Sequence, residues 1–211
     1  KEVVNTTRVR PDWKREIEDW VKARRKKKGI IGPPGTGKTW SAVDAAANAK
    51  PPVRVLAFTR SAAAEFKDRL SNPDCIEVET VDGLAVRFVG FRNMISVAGN
   101  IELGVDLFRY TVAKEHGIKY SLDKYVHTLG NELFGAADYV IGKAGREGLE
   151  EFIAEVGAAD ERAGKALEDY YACIEGRIDR IGRFTCGLYD FTMAKLMLAE
   201  SGFPLPVRVG K

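Results

Sequence analysis

In the run Gly32-Pro33-Pro34-Gly35-Thr36-Gly37-Lys38-Thr39 the spacing is G-x-x-x-x-G-K-T, a combination of residue types suited to holding phosphates. Glycines let the backbone wind tightly and turn successive N–H groups inward. The run leads into a helical stretch, and a helix N-terminus favours negative charge. Lys38 is then placed to reach the outer phosphates as a point charge, and the Thr39 hydroxyl to ligand a magnesium ion shared with them. All eight residues, Gly32, Pro33, Pro34, Gly35, Thr36, Gly37, Lys38 and Thr39, are expected to bind ATP, with Lys38 and Thr39 serving the chemistry and Thr39 the Mg2+. Hydrolysis needs more: an acid at a strand end to hold the metal and a group to activate water. No strand ending in Asp or Asp-Glu is convincing. Val105-Asp106 follows an apolar stretch, but Gly104 and helical surroundings argue against a strand there.

The elements that must position this loop follow from the pattern around it. Pro11-Asp12 reads as a helix start, and Trp13, Ile17, Trp20 and Val21 recur on one helical face. Gly29-Ile30-Ile31 is a short apolar run and reads as a buried strand entering the loop. Lys38 to Ala49 is alanine-rich and reads as a helix, closed by Pro51-Pro52. Val53 to Phe58 reads as a second strand, Ser61 to Leu70 as a helix, Ile76 to Val78 as a third strand and Val81 to Phe91 as a helix. Alternating strands and helices predict a parallel α/β sheet. From about residue 92 the alternation stops. Residues 92–188 read as mostly helical, punctuated by Gly104, Gly117, Gly130, Gly142, Gly157 and Gly182, with Leu149, Phe152, Ile153 and Val156 on one amphipathic face. Asp190 to Glu200 reads as a last helix, and another strand is expected to begin within Pro204 to Lys211.

The segment from Ala57 to Leu70 reads A-F-T-R-S-A-A-A-E-F-K-D-R-L. It resembles the motif A-F-T-N-K-A-A-x-E-M-K-x-R-[IL] of UvrD/Rep-like superfamily 1 helicases, with Arg60 and Ser61 where that family has Asn and Lys. Thr80-Val81-Asp82-Gly83-Leu84 is similar to the family's T-x-H-S-[FL], with Asp82 and Gly83 in place of His and Ser. Tyr189-Asp190-Phe191-Thr192 resembles the stretch that precedes the family's DExx strand. The resemblance implies an α/β, P-loop, RecA-like parallel sheet with a mainly helical insertion. Residues 1–91 would form the core with its N-terminal helix, 92–188 the insertion, and 189–211 a return to the core, cut short before the DExx strand. It also implies an ATP-dependent DNA helicase or translocase, of which this chain is the N-terminal, ATP-binding part. Phe58, Thr59, Arg60 and Thr80 would then meet single-stranded DNA. An aromatic at a strand end can stack on a base and a hydroxyl can meet a phosphate. A duplex junction and a second RecA-like domain from sequence outside the chain would be the further partners. Without the second domain and the metal-holding acid, the chain alone is expected to bind ATP rather than turn it over. The family's adenine-reading glutamine has no counterpart, because the chain contains no glutamine. Two other readings of the loop stand beside this one. One is another P-loop ATPase, AAA+-like; the other is a non-hydrolysing nucleotide-binding module that regulates a partner.

Composition narrows the setting. The 211 residues carry a net charge of +3. Residues 1–28 hold eleven Lys/Arg against five Asp/Glu, whereas residues 92–188 hold twelve against sixteen. A basic N-terminal segment can approach nucleic acid, but bulk attraction of the middle segment to DNA is not supported. Arg177, Arg180 and Arg183 recur every third residue and read as a local basic stripe or, more simply, a solvated helix face. Three scattered cysteines, Cys75, Cys173 and Cys186, read as reduced thiols of a cytoplasmic protein. His116 and His127 lack the neighbours of a metal site. Absence of glutamine with abundant charge is a feature of hyperthermophile proteins. No run of apolar residues is long enough to cross a membrane as a helix.

Overall fold

The computed structural model describes residues 33, 35–50, 52–71, 73–123 and 125–202. They belong to two compact units, one ending at Val81 and the other beginning at Asp82.

The first unit runs helix α1 (Lys38–Asn48), strand β1 (Val53–Ala57), helix α2 (Arg60–Asp68) and strand β2 (Ile76–Thr80). Thr59 starts α2: its backbone is extended, and its hydroxyl accepts the Ala62 N–H at 3.1 Å. This is the capping role that Thr favours. Three alanines then carry the helix with little entropic cost. β1 and β2 pair in parallel, with Val53 opposite Ile76 and Ala57 opposite Thr80. Both strands alternate. Val53, Val55, Ile76 and Val78 pack with Val43 and Ala46 of α1 and with Phe66 and Leu70. Residues of the other parity form an ion pair, Arg54 Nε lying 2.8 Å from Glu77 and 3.5 Å from Glu79.

This corrects the expected RecA-like sheet with its helical insertion. The described residues are mainly helical, with one parallel sheet of two strands and one antiparallel sheet of two strands. Strands of a sheet covered by helices on both faces read as near-continuous apolar runs. β1 (VRVLA) and β2 (IEVET) instead offer one apolar face and one charged face. β2 also passes straight into helix α3 (Val81–Val89). The helix expected from Pro11, the strand at Gly29 to Ile31 and the strand within Pro204 to Lys211 lie outside the described residues.

The second unit contains α3, α4 (Ile101–Glu115), α5 (Leu129–Ala159), α6 (Glu161–Ile174), the hairpin β3 (Arg180–Ile181) and β4 (Phe184–Thr185), and α7 (Phe191–Glu200). Its core is aromatic. Tyr170 of α6 lies 4.9 Å, centroid to centroid, from both Phe108 of α4 and Phe134 of α5, and Phe108 is 5.2 Å from Phe184. Burying each such ring stabilises the unit by about 1.5–3 kcal/mol. Asp160 ends α5 and caps α6, its carboxylate accepting the Arg162 and Ala163 N–H groups.

The glycines expected to punctuate this region mostly do not. Gly104, Gly130, Gly142 and Gly157 lie inside helices. At Gly164 a Cβ would fall 2.4 Å from the Gly157 Cα, so the two glycines let α5 and α6 touch along their backbones. The break inside α5 comes instead at Gly145, whose φ of 67° is open to glycine. The basic stripe is not helical either: Arg180 begins β3, and Arg177 and Arg183 sit in the turns beside it. The expectation of three reduced thiols is also corrected. Cys173, at the end of α6, is disulfide-bonded to Cys186, with Cα atoms 4.5 Å apart, and Cys75 takes no part in a disulfide. The twelve intervening residues fold back through the hairpin, and the Gly187 N–H donates to the Cys173 carbonyl at 2.7 Å. Among the described residues, no helix is long and apolar enough to cross a membrane.

Candidate nucleotide and nucleic-acid site

Gly35 and Gly37 both take left-handed conformations, with φ of 77° and 82°. At each, an added Cβ would meet nothing within 4 Å, so backbone conformation rather than crowding calls for glycine here. Gly37 is the N-cap of α1 and, as a glycine, offers no side chain to cap that helix end. The Lys38 ammonium curls back over the loop: Nζ lies 2.7 Å from the Pro33 carbonyl oxygen and 3.4 Å from Thr36 Oγ1. The same carbonyl accepts the Thr36 hydroxyl at 2.9 Å. Thr39 follows on the first turn and is exposed. A cavity of about 550 Å3 lies here, lined by Gly35 to Trp40 together with Glu65 and Arg69 of the α2 segment. Its size is that of a small-ligand site.

Of the residues expected to bind ATP, Pro33 and Gly35 to Thr39 are described and adjacent; Gly32 and Pro34 lie outside the described residues. The described part of the loop would suit a polyphosphate: it brings together a cation, the start of a helix whose N-cap is glycine, and two left-handed glycines. A magnesium ion would be held by Thr39 Oγ1, with phosphate oxygens completing its shell. Glu65, the one carboxylate among the described lining residues, is ion-paired with Arg69. Sequence reasoning passed over Trp40, Glu65 and Arg69. The signals were an aromatic directly after Thr39 and a Glu/Arg pair four residues apart on one helix.

The expected nucleic-acid residues gather at the C-terminal edge of the parallel pair, where ligands of parallel sheets sit. Phe58 follows the last residue of β1 and is 93% exposed. Arg60 opens α2 and is exposed. Thr80 ends β2 opposite Ala57. Thr59 is also at this edge, but its hydroxyl already serves Ala62 and lies 3.1 Å from Ser61 Oγ. Asp82 and Gly83 belong to the second unit, where Asp82 lies 3.0 Å from Lys195 Nζ.

The second unit holds a buried polar cluster that sequence spacing did not reveal. Asp190, 1% exposed, caps α7 by accepting the Met193 N–H at 2.8 Å and accepts the Tyr170 hydroxyl at 2.7 Å. Arg109 lies 3.4 Å from Asp190, donates to both oxygens of Asp138 at 2.9 and 3.0 Å, and donates to the Tyr170 oxygen at 3.2 Å. Burial raises the Asp138 pKa above the ordinary carboxylate value; Arg109 pulls it down and the charge on Asp190 pushes it up further. Burial also holds the Tyr170 and Tyr171 hydroxyls well above their usual range. The cluster positions α7 against α4 and α6. Among the described residues no group of three or more His, Cys, Asp or Glu side chains is arranged to hold a metal ion. No family model, curated protein or solved structure matches the chain.

Proposed function

We propose that the chain is the ATP–Mg2+- and single-stranded-DNA-binding part of an ATP-dependent DNA helicase or translocase. The observation that carries the reading is the left-handed Gly35 and Gly37 at the start of α1, with Lys38 folded over an open cavity. ATP supplies a phosphoanhydride whose cleavage can drive movement along a strand. The chain's own residues would do the holding. The α1 amides and Lys38 bind the phosphates, Thr39 orients the metal, and Phe58, Arg60 and Thr80 present a ring, a cation and a hydroxyl to a nucleic-acid backbone and its bases. Thr59 would shape that edge through its cap. Movement would need a second motor domain closing on the nucleotide. We place the protein in the cytoplasm. There a disulfide such as Cys173–Cys186 suits a hyperthermophile chain, as does the lack of glutamine.

A second reading has an observation in its favour. Among the described residues, the single carboxylate lining the cavity is occupied by Arg69, which suits a module that binds nucleotide and regulates a partner without hydrolysis. Anisotropy of a fluorescent single-stranded oligonucleotide separates the two. The translocase reading expects measurable binding that weakens at least fivefold in Phe58→Ala. A wild-type chain that ignores the oligonucleotide with and without ATP–Mg2+ removes the translocase reading and leaves the regulatory one.

A further inference from the structure

The cavity at the phosphate loop has an aromatic wall that binding of phosphates does not explain. Trp40 follows Thr39 on α1, lines the same cavity as Gly35 to Thr39, and is 65% exposed. A tryptophan this exposed gives up several kilocalories per mole of potential burial. It is nonetheless held in place: the Arg69 guanidinium carbon lies over its ring, 5.5 Å from the centroid. Arg69 is in turn anchored by its ion pair with Glu65, one turn earlier on α2. One side of the indole is therefore backed by a fixed cation, and the remaining surface opens toward the space beside the loop.

We propose that Trp40, backed by Arg69, is the nucleobase platform of this site and makes it selective for purine nucleoside triphosphates without distinguishing adenine from guanine. The inference rests on the nucleotide-binding reading above and names the ligand class for it. A flat indole recognises ring area: stacking is worth roughly 1–3 kcal/mol per base and tolerates any base with a π face. Purines offer the larger face. Telling adenine from guanine takes donors and acceptors placed on the base edge, and among the described residues the polar side chains lining this cavity outside the phosphate loop are a carboxylate and a guanidinium already committed to each other. The cation behind the ring also favours stacking by drawing on the indole π system.

The test titrates the full chain with Mg2+ complexes of ATP, GTP, CTP and inorganic tripolyphosphate, using wild type, Trp40→Ala, Trp40→Phe and Lys38→Ala. Trp40 is exposed, so its replacement should leave the far-ultraviolet circular dichroism unchanged. The expected result is ATP and GTP bound within threefold of each other and at least fivefold tighter than CTP. Trp40→Ala should weaken ATP and GTP about tenfold and leave tripolyphosphate within twofold; Trp40→Phe should recover most of the loss. ATP, but not tripolyphosphate, should quench indole fluorescence in wild type, and this quench should vanish in Trp40→Phe. If Trp40→Ala binds ATP and tripolyphosphate like wild type while Lys38→Ala loses both, the platform is refuted and the phosphate loop stands. If wild type binds none of the four, the nucleotide reading falls and takes the platform with it.

Discussion

Replacing Asp190 should separate its capping role from its buried hydrogen bond. In Asp190→Ala the Met193 N–H loses its cap, which costs about 1 kcal/mol. The buried Tyr170 hydroxyl loses its acceptor, which costs a further ~1–3 kcal/mol because burial leaves no water to replace it. Arg109 keeps Asp138, so the full penalty of an unpaired buried cation does not arise. The expected loss is thus about 3 kcal/mol. Asp190→Asn retains a capping oxygen of nearly equal quality and an acceptor for Tyr170, and should lose about 1 kcal/mol. Urea unfolding followed at 222 nm, where the helical second unit dominates, reads both numbers from the midpoints at constant slope. Equal losses in the two variants, or a loss below 0.5 kcal/mol in Asp190→Ala (against the ~1–3 kcal/mol of an unmade buried bond), would refute the account of this residue.

Four further outcomes follow from the same physics. The two neighbouring tyrosines should respond oppositely: Tyr170→Phe removes a hydroxyl bonded to Asp190 and should cost about 1 kcal/mol, whereas Tyr171→Phe removes a buried hydroxyl with no hydrogen-bond partner among the described residues and should be neutral or stabilising by up to ~1 kcal/mol in the same urea assay. Gly164→Ala, driving a Cβ to 2.4 Å from Gly157, should cost about 1–3 kcal/mol through overpacking. Converting both Cys173 and Cys186 to Ser should cost about 2–4 kcal/mol, since the bond joins residues 13 apart in sequence, and reducing agent should lower the wild-type midpoint but not that of the double variant. Because the folded-state pKa of Asp138 is raised, the folded protein binds more protons than the unfolded chain just above the ordinary carboxylate value. Its contribution is therefore greatest below that value and is lost as pH rises through the raised one. Asp138→Asn should flatten that segment of the stability–pH curve, read from urea midpoints at successive pH values.

Local chemistry made part of this molecule legible in the sequence. The stretch from Val53 to Thr80 carries its own instructions: alternating Val and Ile, a Thr before an alanine run, and a second alternating strand, each of which acts within a few residues. Gly35 and Gly37 similarly declare their conformation where they stand. What was not legible depends on partners far along the chain. Gly157 reads as punctuation until two helices are seen to touch there, with Gly164 against it. Cys173 and Cys186 look unrelated because a hairpin, not a spacing rule, brings them together. Arg177, Arg180 and Arg183 have a helical-looking rhythm on a turn and a hairpin. Asp190 announces a helix start, but its bonds to Tyr170 and Arg109 span 20 and 81 residues. The sheet itself was overestimated because alternation of strand and helix says how strands pair, not how many there are, and the charged parity of β1 and β2 already pointed away from a sheet apolar on both faces.

Nucleotide affinity itself is the most direct test of the site. Isothermal titration of the full chain with ATP in magnesium should give a single site for wild type and an affinity at least tenfold lower for Lys38→Ala, a difference of about 1.4 kcal/mol. Equal affinities, or no heat from either protein across the millimolar range, would contradict the assignment of the loop at Gly32 to Thr39 as a nucleotide site.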